Sequence, residues 1–258
     1  MTVPGSGRTT HVTYVGHATV LLEVDGVRLL TDPLLRPRVF HLRRHEPAGV
    51  DTLGEIDVVL VSHAHWDHLD TPSLRRVVSS GSVVVLPRGA AKHLGRSGAA
   101  EVLEIDEGEE LERSGLTVTA THADHHGRRL PFGDATPSLG YVVSGSTRTY
   151  FAGDTDLFDG MGSLAPLDLA LLPVAGWGPR LPAGHLDPRG AAEALRLLRP
   201  RVAVPIHWGT YSAMSWRQPK PVPDTSPPAE FARHAAELAP DVDVHVLEPG
   251  ESLELEPA

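Results

Sequence analysis

The stretch Val61-Ser62-His63-Ala64-His65-Trp66-Asp67-His68-Leu69-Asp70 packs three imidazoles and a carboxylate into the six residues from His63 to His68. The apolar run Ile56-Asp57-Val58-Val59-Leu60-Val61 before it has strand composition, and Thr71-Pro72 behind it marks a helix start. The cluster therefore sits where a buried strand gives way to a loop. Crowded imidazoles repel one another when charged and are costly to bury unpaired, so the arrangement calls for a partner that uses several lone pairs at once. A metal ion is that partner, and at this density it outweighs the bland alternative of a solvated histidine-rich loop.

Composition narrows the metal and its setting. The 258 residues contain no cysteine, which excludes disulfides and thiolate ligands and leaves His, Asp and Glu as donors. Zn, Mn or Fe held by nitrogen and oxygen follows. Hydrophobic content of 41% and charged content of 22% are those of a globular chain with enough apolar surface for a sizeable core. No composition shift argues for a cut, so one domain over residues 1–258 is expected. The N-terminus lacks the apolar segment of a signal peptide and no later run reaches membrane-spanning length, which points to the cytoplasm. A formal charge of −10 repels a phosphate backbone at long range and argues against nucleic acid as partner. Within that acidic chain, Arg36-Pro37-Arg38-Val39-Phe40-His41-Leu42-Arg43-Arg44-His45 is a cationic island, either a solvated loop or a clamp for an anionic substrate.

Read in order, the chain alternates short strands with few helices. Strands are expected over residues 11–15, 19–24 and 27–31, with Asp25-Gly26 as a two-residue hairpin turn. After the central cluster come a short helix over 72–78, a strand over 82–86, a second short helix over 89–94, and strands around 102–105, 110–112 and 116–120. The last of these runs into His122-Ala123-Asp124-His125-His126, a second histidine cluster at a strand end. A hairpin over 139–143 and 147–152 delivers Gly153-Asp154-Thr155, a strand over 167–174 precedes Gly184-His185-Leu186-Asp187-Pro188, and a strand over 201–206 delivers His207. Asp187 and Pro188 open a helix; Ser212 to Pro228 is a proline-rich irregular connection, followed by a helix over 230–238 and strands at 242–246 and 253–255. Strands outnumber helices, and hairpins occur in both halves. That pattern fits an α/β (α+β) sandwich of two mixed sheets packed face to face with helices outside.

Four strand ends thus carry ligands, more than one metal can use, so two divalent ions are implied. Paired ions lie about 3.5–4 Å apart, and water between them loses a proton near neutral pH, so no Ser or Cys nucleophile is needed. Two such ions against Asp67, Asp154 and a hydroxide leave roughly one positive charge, which favours an anionic group in the transition state. Trp66 and Trp208 flank ligands as packing groups or stacking platforms, and Arg128, Arg129 and Arg180 are solvated or grip a phosphate.

These motifs resemble the metallo-β-lactamase-fold hydrolases, through His63 to His68, Gly153-Asp154-Thr155 and His207. Gly16-His17-Ala18-Thr19, Gly184-His185-Leu186-Asp187-Pro188 and Ile206-His207-Trp208-Gly209-Thr210 are similar to the branch containing L-ascorbate-6-phosphate lactonase and N-acyl-phosphatidylethanolamine phospholipase D. The resemblance implies a four-layer αββα sandwich. It implies one ion on His63, His65 and a histidine of the middle cluster, with His125 chosen and His122 its rival. The other ion falls on Asp67, His68 and His207, with Asp154 bridging. Asp67 reads equally as ligand or as the base that orients the water. His185 falls where the branch places a histidine facing substrate, a catalytic and binding candidate, and His17 lies near the same mouth. The expected activity is metal-dependent hydrolysis of a small phosphodiester or phosphorylated lactone, with Zn2+ the expected ion and Mn2+ or Fe the alternatives. The competing readings are a di-iron oxidoreductase, an RNA-processing nuclease on the same fold, and a non-catalytic sensor; a homo-oligomer is left open. The di-iron branch carries Glu where this chain has His65 and needs a flavin partner domain.

Overall fold

The computed structural model describes residues 9–95, 98–99, 101–129, 135–176, 181–214 and 224–257. Arg180 lies outside them. Strands β1 (Thr10–Gly16), β2 (Thr19–Val24) and β3 (Val27–Thr31) form an antiparallel meander, turned between β2 and β3 by Asp25 and Gly26 at φ 51° and 83°. A small hairpin of β4 (Arg38–Val39) and β5 (Leu42–Arg44) follows. Next come β6 (Val58–Leu60), helix α1 (Thr71–Val77), β7 (Val83–Pro87) and β8 (Glu101–Ile105), the strands parallel to one another. The second half begins with antiparallel strands β9 (Glu110–Arg113), β10 (Leu116–His122), β11 (Leu139–Ser144) and β12 (Arg148–Phe151). It continues through β13 (Leu167–Pro173), α2 (Pro188–Leu198), β14 (Pro200–Ile206), β15 (Tyr211–Ala213), α3 (Ser226–Leu238), β16 (Asp243–Val244) and β17 (Ser252–Leu255).

One seven-stranded sheet has the order β17-β1-β2-β3-β6-β7-β8, and the other β16-β14-β13-β12-β11-β10-β9. Side-chain alternation explains why their strands read as unbroken apolar runs. Along β3, β6 and β7, Leu29, Val58, Leu60, Val83 and Val85 enter a core shared with the second sheet, whereas Leu30, Val59, Val84 and Leu86 enter an outer core with Leu74 and Val77 of α1. On the far side, α2 and α3 cover the second sheet with Ala191, Ala192, Ala194, Leu195, Leu198, Phe231 and Ala235. The result is the expected four-layer αββα sandwich.

Three departures from the sequence expectations have local causes. The cationic island is not a loop but the β4–β5 hairpin, completed by β15 into a three-stranded sheet. This strand also interrupts the connection expected to be irregular from Ser212 to Pro228, of which residues 215–223 lie outside the described ones. Helix α3 starts at Ser226 rather than Glu230, because Pro227 and Pro228 occupy first-turn positions where a missing N–H costs nothing. The expected helix over 89–94 is a single 3-10 turn at Ala91–His93.

Helix α2 is fastened at its start by Asp187, whose carboxylate accepts from Gly190 N at 2.6 Å, with Pro188 in the first turn. Asp187→Ala is expected to lower the stability of the fold by about 1 kcal/mol in urea denaturation. A loss under about 0.3 kcal/mol would show that water replaces the cap.

Candidate metal centre

The ends of several strands open on one side of the sandwich. Strand β6 leads through Val61 and Ser62 into His63–His68, where Leu69 N reaches back to His65 O at 2.8 Å to close a turn. Asp70 then caps α1, accepting from Ser73 N at 3.1 Å, and is gripped by Arg36 through Nε (3.0 Å) and Nη2 (2.6 Å). The ligand-bearing loop is thus held between a strand end and a capped helix. Strand β10 leads to His125, β12 to Gly153-Asp154 and β14 to His207. Gly153 must be glycine: at φ 61° a Cβ there would meet the Ser62 side chain at 2.5 Å.

Two groups of donor atoms converge. In one, His65 Nδ1 lies 2.9 Å from His63 Nε2 and 3.2 Å from His125 Nε2. In the other, Asp67, His68, His207 and His17 bring ligand atoms within 4.8 Å of one another. Asp154 stands between: its Oδ2 is 4.0 Å from His63 Nε2, 3.3 Å from His68 Nε2 and 3.5 Å from His185 Nε2, and its Oδ1 is 3.3 Å from His207 Nε2.

The remote ring nitrogens are tied to acceptors, which aims the others inward. His68 Nδ1 donates to Asp32 Oδ2 at 2.7 Å, and His125 Nδ1 donates to the Gly184 carbonyl at 2.8 Å. Ser62 Oγ donates to Asp32 Oδ2 and accepts from His63 Nδ1 at 2.9 Å, while Ser62 N donates to Asp32 Oδ1 at 2.7 Å. The Nε2 lone pairs of His63, His68 and His125 are left for the centre. His68 Nε2 and Asp154 Oδ1 are buried with no hydrogen-bond partner among the described residues. Converging imidazole lone pairs, ionised carboxylates and orphaned buried donors suit divalent cations, so the residues present fit the metal ions expected from sequence.

Electrostatics agree. Burial, reinforced by His68 and His125, holds His63 well below the ordinary imidazole value, and burial brings His125 and His17 down to about 4. Burial works against the charges of Asp67 and Asp154, yet the surrounding imidazoles, His68 and His17 foremost at Asp67 and His207 and His68 at Asp154, keep both carboxyls well below their usual range. Burial would also lower His68, but Asp154, Asp67 and Asp32 together hold it well above the ordinary value.

The structure brings His63, His65, Asp67, His68, His125, Asp154 and His207 together, with His185 beside Asp154. It leaves His122 out: that ring is exposed, bonded to Glu107 Oε2 at 3.0 Å and set against Phe158. His17 is buried, its Nε2 3.3 Å from Asp67 Oδ2, and it lines a cavity of about 440 Å³ with His207 and His41. Trp208 is a packing group, stacked on Tyr14 and donating to Pro205 O at 3.0 Å. Arg128 is exposed, whereas Arg129 donates to Ala64 O and Leu69 O and lies over the Trp66 ring. Arg44 is buried, donating to the Leu34, Val15 and Glu46 carbonyls. Neither it nor Arg36 is free to clamp an anion. Sequence reasoning missed Asp32 and Ser62; the available signal was an acidic residue closing β3, a parallel neighbour of the strand that carries the histidines.

With this geometry in place, kinship is decisive. A profile described as Beta-lactamase superfamily domain matches residues 27–208. The chain belongs to the metallo-β-lactamase superfamily. It is 36% identical over 253 residues to a UPF0173 metal-dependent hydrolase of Methanopyrus kandleri, covering 94% of this chain and 99% of that one. It is 34% identical over 227 residues to an N-acyl-phosphatidylethanolamine-hydrolyzing phospholipase D of Caenorhabditis elegans, covering 77% of this chain and 64% of that one. Igni18, a metallo hydrolase from Ignicoccus hospitalis, superposes with a TM-score of 0.70 at 27% identity, covering 96% of this chain and 99% of that one. This superfamily member is a metal-dependent hydrolase, with a His/Asp cluster able to hold metal. No helix among the described residues is long and apolar enough to cross a membrane.

Asp32→Asn keeps the shape of the side chain but cannot accept from both Ser62 and His68 as a carboxylate does. It is expected to weaken metal binding about 10- to 100-fold in chelator competition, with secondary structure by circular dichroism retained. A change under two-fold would remove Asp32 from the support of the centre.

Proposed function

We propose that the enzyme is a two-ion hydrolase of a small ester-type substrate whose reacting group is anionic, a phosphodiester or a phosphorylated lactone. The observation that carries this reading is the pair of donor groups joined at Asp154. His63, His65 and His125 would hold one ion and Asp67, His68 and His207 the other, with Asp154 standing between the two sets. Zn2+ is the expected occupant, since five imidazoles with carboxylates match its donor preference. When bound, such ions supply a hydroxide nucleophile at neutral pH and Lewis-acid polarisation of the bond to be cleaved.

The chain's own groups then do the positioning. Asp67, braced by His17, orients the attacking oxygen as well as serving as ligand. His185 lies 3.5 Å from Asp154 Oδ2, and although burial works to lower it, the Asp154 carboxylate raises its affinity for a proton. It is placed to face the substrate and to hand that proton to a departing oxygen. The relative named as a phospholipase D supports the phosphodiester form, because that name denotes cleavage of a phosphodiester. A cytoplasmic setting, from the cysteine-free composition, belongs to the same proposal.

Protein purified without chelators is expected to carry two divalent ions per chain by elemental analysis. It should hydrolyse bis(p-nitrophenyl) phosphate or a phosphorylated lactone, lose that activity on chelation, and regain it with Zn2+ or Mn2+. Asp154→Ala should lose at least one ion and more than about 100-fold in kcat/KM. Metal-loaded protein that turns over no phosphodiester, lactone or ester would sink the reading.

A further inference from the structure

The cationic island is not a loop, and two of its four arginines, Arg36 and Arg44, are engaged within the protein. It forms a hairpin with Phe40-His41 as its two-residue tip. His41 lines the 440 Å³ cavity shared with His17 and His207. Phe40 turns the other way and meets the ring of Trp66 edge-on, with centroids 5.4 Å apart. Trp66 sits between His65 and Asp67 in the ligand loop. Arg129 lies over the Trp66 ring at 3.7 Å and donates to Ala64 O and Leu69 O on either side of it.

Three features show that this pair is presented rather than left over. Phe40 is 69% exposed and Trp66 39%, the two aromatic members of the exposed large hydrophobic side chains among the described residues, and they touch. Phe40 has φ 50°, a left-handed conformation in which a bulky aromatic is a rare outlier. The tip is also fixed in place, because Met214 N donates to His41 O at 2.8 Å and β5 pairs with β15. A folded chain gains nothing in stability from holding a strained phenylalanine in water. A ligand that covers it does gain.

We infer that Phe40 and Trp66 form an apolar rim beside the metal centre that grips an alkyl or aryl substituent of the substrate, making the preferred substrate an anionic ester with a hydrocarbon or aromatic arm. This rests on the proposed hydrolytic reading of the centre. The reacting group sits at the ions and its arm lies across the hairpin tip, so Phe40 and Trp66 set specificity without touching the reacting atoms. Both rings are rigid, with few rotamers to freeze on binding, and each presents a face or edge suited to methylene or aromatic contact.

The test uses n-alkylphosphonates from methyl to octyl, titrated calorimetrically into the metal-loaded full chain; the phosphonate reports the centre and the tail reports the rim. Wild-type affinity is expected to rise about two- to three-fold per methylene, somewhat less than full burial of each group would give. In Phe40→Ala and Phe40→Gly, the latter free of backbone strain, the gain should shrink below about 1.3-fold per methylene. Trp66→Leu should reduce it while metal content, checked by elemental analysis, stays at the wild-type value. Leu197→Ala, which removes an exposed hydrophobic on α2, should keep the wild-type slope. Affinity independent of tail length, or a slope that survives both Phe40 variants, overturns the rim while leaving the centre intact. A Phe40 variant that shifts the oligomeric state in sedimentation with an unchanged slope overturns it in favour of a second copy as occupant. Failure of methylphosphonate and every longer member to bind takes down the reading of the centre and the rim with it.

Discussion

The centre depends on balancing buried charge. Asp32, with no exposure, accepts from Ser62 N, Ser62 Oγ and His68 Nδ1, so a carboxylate that would be prohibitive alone becomes the fixed point of the ligand loop. Through Ser62 it sets the ring of His63, and through its own Oδ2 the ring of His68. One residue of each donor group therefore takes its orientation from the same carboxylate. Removing that charge would loosen both halves together, because the Nδ1 atoms of both rings are held by Asp32 or by the Ser62 hydroxyl that Asp32 fixes.

What was legible in the sequence is what local pattern and residue chemistry determine. Unbroken apolar runs announced strands buried on both faces, Asp25-Gly26 the hairpin turn, Asp187-Pro188 the start of α2, and the histidine spacing the metal loop. The small sheet was not legible, since strands of two and three residues have no periodicity to read and β5 pairs with Tyr211–Ala213, far along the chain. Asp32 escaped because its role comes from register: β3 runs parallel to β6 with Thr31 beside Leu60, which sets the next residues, Asp32 and Val61-Ser62, at the same edge. His122 and His125 could not be separated by pattern either. Alternation along β10 puts His122 in phase with Leu116, Val118 and Ala120, and only Glu107 and Phe158 take its ring away from the cluster.

The island's arginines show how sequence charge misleads when partners are unknown. Arg36 is spent on Asp70 and thereby on the cap of α1, which follows the ligand loop. Arg44 is buried against the carbonyls of Val15, Leu34 and Glu46, and against Tyr211, where β1 ends and the hairpin begins. His17 continues the brace, donating from N to Thr210 Oγ1 at 2.7 Å and accepting from His207 N at 2.8 Å. Arg36 and Arg44 thus hold the walls of the site in place rather than offering their charge to a ligand.

In the proposed function, recognition of an anion falls to the bound metal. Without ions the pocket contains Asp32, Asp67 and Asp154, all buried or nearly so, against the imidazoles of His68 and His185, the two whose proton affinity the carboxylates raise. Carboxylates at the heart of the donor set favour cations there over an anionic group. In the proposed function, divalent cations bound there would reverse the sign at the same spot, in a medium where such charges are weakly screened. On that reading the carboxylates would draw the ions, and the loaded site would attract the substrate. A chain with a formal charge of −10 would in this way select an anion, because attraction would be confined to the place where the ions outweigh the acids.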